Sequence, residues 1–411
     1  MTIFTIVTRS YLPLAYSLFK SYDENSSNKI VKYIIVVDYD SDINLNNNDA
    51  IIISAKDVLE YYNLPFQELS FKYDVTEFST AIKPFAIKYL KDINDCSKMI
   101  YLDPDILFFN SVDLLENYLE DYKLIVTPHF VEITDNIKEP NRFLGSGVYN
   151  LGFLGLDASD RKVMKFVDWW GNRCLDFCFR ERDENLFTDQ KWFDLIPCFF
   201  SHKEFCVLDN IGFNVAPWNL HERDIFTADG KYFVRNLMTN EVQQLVFFHF
   251  SGFNYKNLIN NKNEKFKIDK SEGLCLLSNV YQDYLNANEI YRYINIPYKY
   301  NYFNNGNRIL KFHRRVYRAY IKENALKDPF ECKKLSRVRF KEENIDSKTG
   351  IDDLNSYNLY VKIIYVIANL FRSLIGFANY VKLLKFTRTF SRFENQCFII
   401  FKDSDEIRFW N

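Results

Sequence analysis

The first 130 residues alternate between apolar runs of strand length and segments with helical spacing, and few folds accept that pattern. Phe4 to Thr8 is a β-rich apolar run, and Leu12 to Tyr22 has helical spacing. "KYIIVVDYD" reads as a second buried strand, and "AIIISAKDVLEYY" as a third strand with its helix. "STAIKPFAIKYLKDI" reads as a helix leading into "KMIYLDPDILFF". A strand apolar along its whole length must be covered on both faces, so this alternation predicts an α/β fold with a mostly parallel sheet flanked by helices. With 411 residues, 47% of them hydrophobic, the chain can bury the core of one large α/β domain plus an appendage, or of two domains.

In such sheets ligands bind beyond the carboxyl ends of the strands. "YLDPDILFF" places Asp103 and Asp105 one residue apart near such an end, between two apolar runs. Ionised carboxylates are costly to bury unless they are paired or hold a cation. A D-x-D pair at a strand end can share a divalent ion, and a hard ion with open positions can bridge the two phosphates of a nucleotide. The simpler reading is two solvated loop acids, since D-x-D alone is common. Its bracketing by buried strand argues for the ion.

Bulk properties exclude other partners. The net charge is -2 and the isoelectric point near 6.3, so the chain lacks the basic field of a nucleic-acid binder. "MTIFTIVTRSYLPLAYSLF" has neither a basic leader nor a small-residue cleavage site, and a cytoplasmic location is expected. Eight scattered cysteines fit reduced thiols. Cys174 and Cys178, and Cys198, His202 and Cys206 in turn, recur every four residues. That interval is not the usual zinc-knuckle spacing, and buried thiols are the expected reading.

Further along, "GSGVYNLGFLGL" holds four glycines where the backbone must approach something closely, and "RKVMKFVDWWGNRCLDF" is an amphipathic helix. "QQLVFFHFSGF" is an apolar strand that breaks at a histidine and a glycine. The polar stretches "NNKNEKFKIDKSEG" and "KEENIDSKTGIDDLNS" read as breaks. They divide the chain into a catalytic domain over 1–258, an extension over 259–345 and a basic amphipathic segment over 346–411.

"YLDPDILFF", "GVYNLGFLGL", "FTDQKWFDLIP" and "FFHFSG", in this order, resemble the metal-dependent glycosyltransferases of the GT-A nucleotide-diphospho-sugar fold. Family 8 and related bacterial polysaccharide enzymes are the nearest in pattern, and the likeness covers roughly residues 3 to 256. The resemblance implies that Asp103, Asp105 and His249 bind Mn²⁺ or Mg²⁺, and an imidazole among oxygen ligands favours manganese. It places Asn150 and Gly152 on the donor sugar, Asp189 and Gln190 near the anomeric carbon, and Thr8 by the nucleotide base or ribose. Lys83 stands where the family has an arginine that neutralises phosphate. Gly252 follows the histidine as in the family's H-x-x-G-x-x-K, but Lys256 falls one residue late for the diphosphate contact. Against these readings stand a packed core histidine at His249, a surface lysine at Lys83, and helix capping by Thr188 and Asp189.

The implied activity is a hexosyltransferase that moves a sugar from a UDP-sugar or similar donor to a glycan or lipid-linked acceptor in surface polysaccharide synthesis. Two alternatives are a sugar-binding or scaffold module without turnover and a D-x-D phosphohydrolase. The latter ordinarily has Thr or Val where Leu107 stands. In residues 361–393, Lys362, Arg372, Lys382, Lys385, Arg388 and Arg392 stand among aromatic and aliphatic residues with no acid between them. An arginine in mid-span argues against crossing a bilayer, which leaves two readings: peripheral contact with the inner face of the cell membrane, or a C-terminal helix packed on the catalytic domain with its cations in water.

Overall fold

The computed structural model describes residues 1–39, 49–94, 96–135, 140–259, 272–321, 328–337 and 358–400. Both polar breaks read from the sequence, at 260–273 and 341–356, fall largely or wholly outside these residues. The described residues form two compact units: 1–69 with 75–299, and 70–74 with 300 onward.

The first unit is built on the expected sheet. Its strands are β1 (Thr2–Val7), β2 (Val31–Val36), β3 (Ile51–Ser54), β4 (Lys98–Leu102), β6 (Leu124–Pro128), β7 (Tyr149–Asp157) and β10 (Phe205–Val207), in the order β10-β6-β7-β4-β1-β2-β3. Four of the six pairings are parallel, and only those of β7 with β4 and β6 are antiparallel. Outside this sheet lie a short ribbon of β8 (Arg180–Glu181) and β9 (Leu186–Phe187), and an antiparallel sheet of β11 (Arg223–Ala228), β12 (Lys231–Asn236) and β13 (Val242–Gln244). The run after the two acids is a separate strand, β5 (Ile106–Phe108), paired antiparallel with β14 (Phe247–His249). In that register His249 lies opposite Ile106. The long-range ribbon therefore carries the histidine to the acids.

Three helices frame the sheet. α1 (Leu12–Glu24) buries Leu12, Ala15, Leu18, Phe19 and Tyr22 against it. α2 (Lys83–Asn94) begins on a buried lysine. α3 (Arg161–Phe177) is capped by Asp160, whose carboxylate accepts from the Lys162 and Val163 amides at 2.8 and 3.0 Å. Such a cap is worth about 1 kcal/mol. Its buried stripe of Val163, Phe166, Val167, Trp170, Gly171 and Cys174 follows the helical period. Cys174 and Cys178 are buried thiols, while Cys198 is exposed and Cys206 half-buried. Among the described residues no cysteine joins a cluster able to hold a metal.

In the second unit Phe71 packs against Phe303, Tyr317 and Phe330, with Ile309, Phe312, Val316 and Leu335 completing a small core. Arg314, on α5 (Lys311–Ile321), is 2% exposed and donates to the Phe71 and Tyr73 carbonyls at 2.6 Å and the Tyr300 carbonyl at 2.7 Å. A buried guanidinium satisfied by carbonyls welds two distant stretches of chain. Arg318 pairs with Glu394 at 3.1 Å, both 5% exposed. Helices α6 (Asn358–Ile375) and α7 (Phe377–Phe390) precede a 3-10 stretch over Phe393–Ile399. The helix before α5, α4 (Glu272–Ala287), belongs to the first unit, with Leu274, Leu277, Tyr281 and Leu285 in its second core.

Candidate metal centre and its surroundings

The acids sit in the turn between β4 and β5. Pro104 restricts Asp103 before it to extended backbone, and the Asp103 amide donates to the Gly152 carbonyl on β7 at 2.7 Å. Asp103, Asp105 and His249 bring their ligand atoms within 4.8 Å of one another. His249 Nε2 lies 3.0 Å from Asp105 Oδ1 and 3.6 Å from Asp103 Oδ2. The histidine is 2% exposed, so it is buried as a core residue would be, yet it faces carboxylates rather than packing partners alone. The Trp218 ring meets its imidazole edge-on at 5.1 Å.

Charges at this turn are mutually adjusted. Burial raises the Asp103 carboxyl above its usual range, against the pull of Lys83 and His249. Burial opposes ionisation of Asp105 as well, but His249 beside it outweighs that and holds the carboxyl low. For His249 burial favours the neutral ring, while Asp105 and Asp103 overcome it and raise its pKa. The two acids and the ring thus form one electrostatically coupled set.

Beside this cluster Gly152 leaves room that a side chain would take. A Cβ there would fall on His249 Cε1 and come within 2.9 Å of both Asp103 Oδ2 and Asn150 Oδ1. Any other residue would fill the region where the three ligands converge. Two acid oxygens and one imidazole nitrogen are a donor set suited to manganese, and to magnesium less well.

Lys83 is the first residue of α2, where a cation opposes the helix dipole. Its position is explained by its partners: Asp189 Oδ2 at 2.8 Å, the Leu151 carbonyl at 2.9 Å and the face of Tyr101 at 4.1 Å. Lys83 and Asp189 are 1% and 2% exposed, so this lysine is not on the surface. Tyr101 in turn donates to Asp103 Oδ1 at 2.6 Å. An unbroken chain of contacts thus runs from Asp189 through Lys83 and Tyr101 to the metal-facing acid.

Asp189 does not cap the helix that follows it; the 3-10 turn Gln190–Leu195 has no side-chain cap. Thr188 ahead of it adopts a left-handed φ of +49°, rare for a β-branched residue, and donates to Asp189 Oδ1 at 3.3 Å. Trp170 on α3 holds the Asp189 carbonyl at 3.0 Å. Gln190 accepts from the Leu151 amide at 3.1 Å and donates to the Ser146 carbonyl at 2.8 Å. Asn150 is buried, its Oδ1 receiving Asn214 Nδ2 at 3.3 Å. Thr8 is buried at the end of β1 and shares a hydrogen bond with Ser10 at 2.8 Å. Gly252 is exposed in the turn after β14, and Lys256 is exposed on the short helix Tyr255–Ile259.

Tyr255 occupies the place where the H-x-x-G-x-x-K pattern has its lysine. Its hydroxyl lies 3.3 Å from Asp105 Oδ2 and donates to the Phe250 carbonyl at 3.2 Å. The structure brings Asp103, Asp105, His249, Asn150, Gly152, Lys83, Asp189 and Gln190 into one connected region. Tyr101, Trp218, Asn214 and Tyr255 belong to it as well and were not singled out from the sequence.

No model of a known protein family matches the chain. It is 25% identical over 256 residues to Uncharacterized protein YfnF of Bacillus subtilis (strain 168), covering 61% of this chain and 80% of that protein. It is 27% identical over 187 residues to YfnD of the same organism, covering 43% of this chain and 54% of that one. Among solved structures it resembles the galactosyltransferase LgtC in complex with donor and acceptor sugar analogues, at 15% identity and a TM-score of 0.42 over 72% of this chain and 98% of that one. It also resembles mouse xyloside xylosyltransferase 1, at 10% identity and a TM-score of 0.38 over 61% and 97% of the two chains. A third is the bifunctional glycosyltransferase WbbM, at 13% identity and 0.38 over 64% and 49%. These three solved structures are glycosyltransferases.

Proposed function

We propose that this chain is a metal-dependent glycosyltransferase that moves a sugar from a nucleoside-diphosphate donor, a UDP-sugar being the first choice, to a glycan acceptor of the cell surface. The observation that supports it most is the convergence of Asp103, Asp105 and His249 beside a space that Gly152 keeps clear. A divalent ion held there supplies Lewis acidity that stabilises charge on a departing diphosphate. Asp103 and Asp105 offer hard oxygens, and His249 an imidazole fixed by Trp218. Lys83, through Tyr101, keeps the Asp103 carboxylate oriented and offers positive charge beside it. Asn150 and Gly152 line the donor sugar, with Asp189 held next to it by Thr188 and Trp170. Gln190 positions the β7 backbone by taking the Leu151 amide and the Ser146 carbonyl. Thr8 lies at the nucleotide end, and Gly252 and Lys256 border the diphosphate, with Tyr255 supplementing them on Asp105.

Losing a ligand of the metal removes several kcal/mol of transition-state stabilisation, hence about 10³-fold in rate or more. Asp105→Ala and Asp103→Asn are each expected to abolish donor turnover and calorimetric Mn²⁺ binding while the far-ultraviolet circular dichroism spectrum stays native, with a lowered melting temperature because His249 loses a carboxylate partner. Wild-type turnover by both variants at low Mn²⁺ would sink the assignment. A thermal-shift screen of nucleoside diphosphates with and without Mn²⁺ names the base, since a ligand at 100 times its Kd stabilises by about 2.7 kcal/mol. Donor binding without any donor cleavage would favour a sugar-binding module.

A further inference from the structure

Helices α6 and α7 form a hairpin joined by a single residue, Gly376, at φ +78°. The two helices touch each other, and few other described residues pack on α6. Ile363, Ile364, Tyr365, Val366 and Ile367 are all exposed, and five consecutive helical residues point in every direction around the axis. Leu370, Phe371 and Leu374 continue the exposure, Leu374 at 81%. On α7, Phe377 is 68% exposed, with Leu383 and Leu384 also in solvent. With Asn369, Arg372 and Ser373 also on it, α6 is an amphipathic helix whose apolar side chains stand largely in solvent, and such side chains belong against a core or lipid.

Its charge names the partner. The segment 358–390 contains no acid, and Arg372, Lys382, Lys385 and Arg388 are exposed on it. None of the four is in an ion pair with a described residue. Apolar and aromatic side chains interleaved with unopposed cations match the boundary between acyl chains and anionic headgroups. No helix of the described residues is long and apolar enough to cross a membrane. A second copy of the hairpin would bring like charges together, and a nucleic acid would leave the aliphatic side chains in water.

We infer that the α6–α7 hairpin lies in the plane of an anionic lipid bilayer, its Ile, Leu and Phe side chains inserted at the acyl boundary and its cations on the headgroups. This inference stands independently of the transferase reading. It is tested with the full chain and sedimentable vesicles of phosphatidylcholine, either alone or mixed with phosphatidylglycerol. The wild type is expected to sediment with the anionic vesicles at low salt, to bind neutral vesicles weakly, and to be released as salt shortens the Debye length. Lys382→Gln/Lys385→Gln/Arg388→Gln should weaken binding about 100-fold, each cation contributing about fivefold. Leu370→Gln/Leu374→Gln should weaken it at least tenfold with the charge unchanged. Both variants alter exposed positions, so unchanged melting temperatures separate lost binding from lost folding. No sedimentation of the wild type with anionic vesicles at low salt would overturn the inference. Equal binding by wild type and the leucine variant would also overturn it. So would a stable dimer in sedimentation velocity that the leucine substitutions dissociate, since a second copy would then cover the hairpin.

Discussion

At the mouth of β4, charged side chains are held out of water: Lys83 and Asp189 are 1% and 2% exposed, and His249 is 2% exposed against two carboxylates. Along α6 and α7 the reverse holds, with Leu374 at 81% and Phe377 at 68% in solvent beside cations that have no acid partner on the hairpin. Each arrangement opposes folding taken alone. An unpaired buried charge costs several kcal/mol, and each large apolar side chain left in water forgoes about 1.5–3 kcal/mol. The first region recovers its cost internally, through partners at hydrogen-bond distance. The second has none among the described residues. A substitution should therefore act on stability at the mouth and hardly at all on the hairpin.

Lys83→Met gives the largest stability effect, a loss of about 3–5 kcal/mol in urea unfolding, because Asp189 is left charged and buried. Adding Asp189→Asn should restore most of it; a double variant as unstable as the single one would show that the pair is not what holds this region. Next comes a pH effect. Burial pushes the His129 ring down to about 4, so the folded protein keeps it neutral while the unfolded chain takes a proton from about 6.5 downward. The unfolded state then binds more protons, and this contribution to stability is present above pH 6.5 and lost as pH falls toward 4. The loss amounts to roughly 3 kcal/mol. His129→Gln should flatten the stability curve between pH 6.5 and 4.5, and an unchanged slope would exclude His129 as its source.

A smaller effect is expected of Gly152→Ala, about 1–3 kcal/mol from overpacking against His249 and Asp103. Its sharper consequence is on the ion: calorimetric Mn²⁺ affinity should fall about 10- to 100-fold as the added methyl displaces the ring. Undiminished affinity would mean that the ion does not lie between these side chains. The smallest effect belongs to the hairpin, where Leu370→Gln should shift the unfolding free energy by less than about 0.5 kcal/mol in the absence of lipid. A loss of 2 kcal/mol or more would erase the contrast between the two regions and place Leu370 in a core.

Much of this contrast is legible in the sequence. Asp103 and Asp105 stand out because acids between two apolar runs are costly, and His249 because a buried strand ends on it. The amphipathic stripe of α3 coincides with its sequence reading, since 3.6-residue spacing is a local property. The apolar run after the acids is legible as strand, but not that β5 leaves the main sheet to pair with β14 about 140 residues away. That pairing is non-local, and neither strand alone specifies it. Tyr101, Trp218 and Tyr255 are not legible because in a chain with 18% aromatic residues a phenol aimed at a carboxylate, or an indole against an imidazole, looks like one more core ring. The cations of the hairpin were visible as a run without acids, while the single-residue joint at Gly376 depends on a backbone angle that sequence does not display.

The guanidinium of Arg314 has a consequence in time. The carbonyls of Phe71 and Tyr73 that it holds lie 243 and 241 residues ahead of it along the chain. At the usual 5–20 residues per second, a ribosome takes about 10–50 s to deliver Arg314 after Phe71 has emerged. Through that interval Phe71 is without Phe303, Tyr317 and Phe330, the rings that enclose it. The segment 70–74 is thus an early-made part of a late-made unit. A nascent chain arrested before residue 300 would leave the Phe71 ring uncovered on the helix Phe66–Lys72, the kind of surface to which chaperones bind.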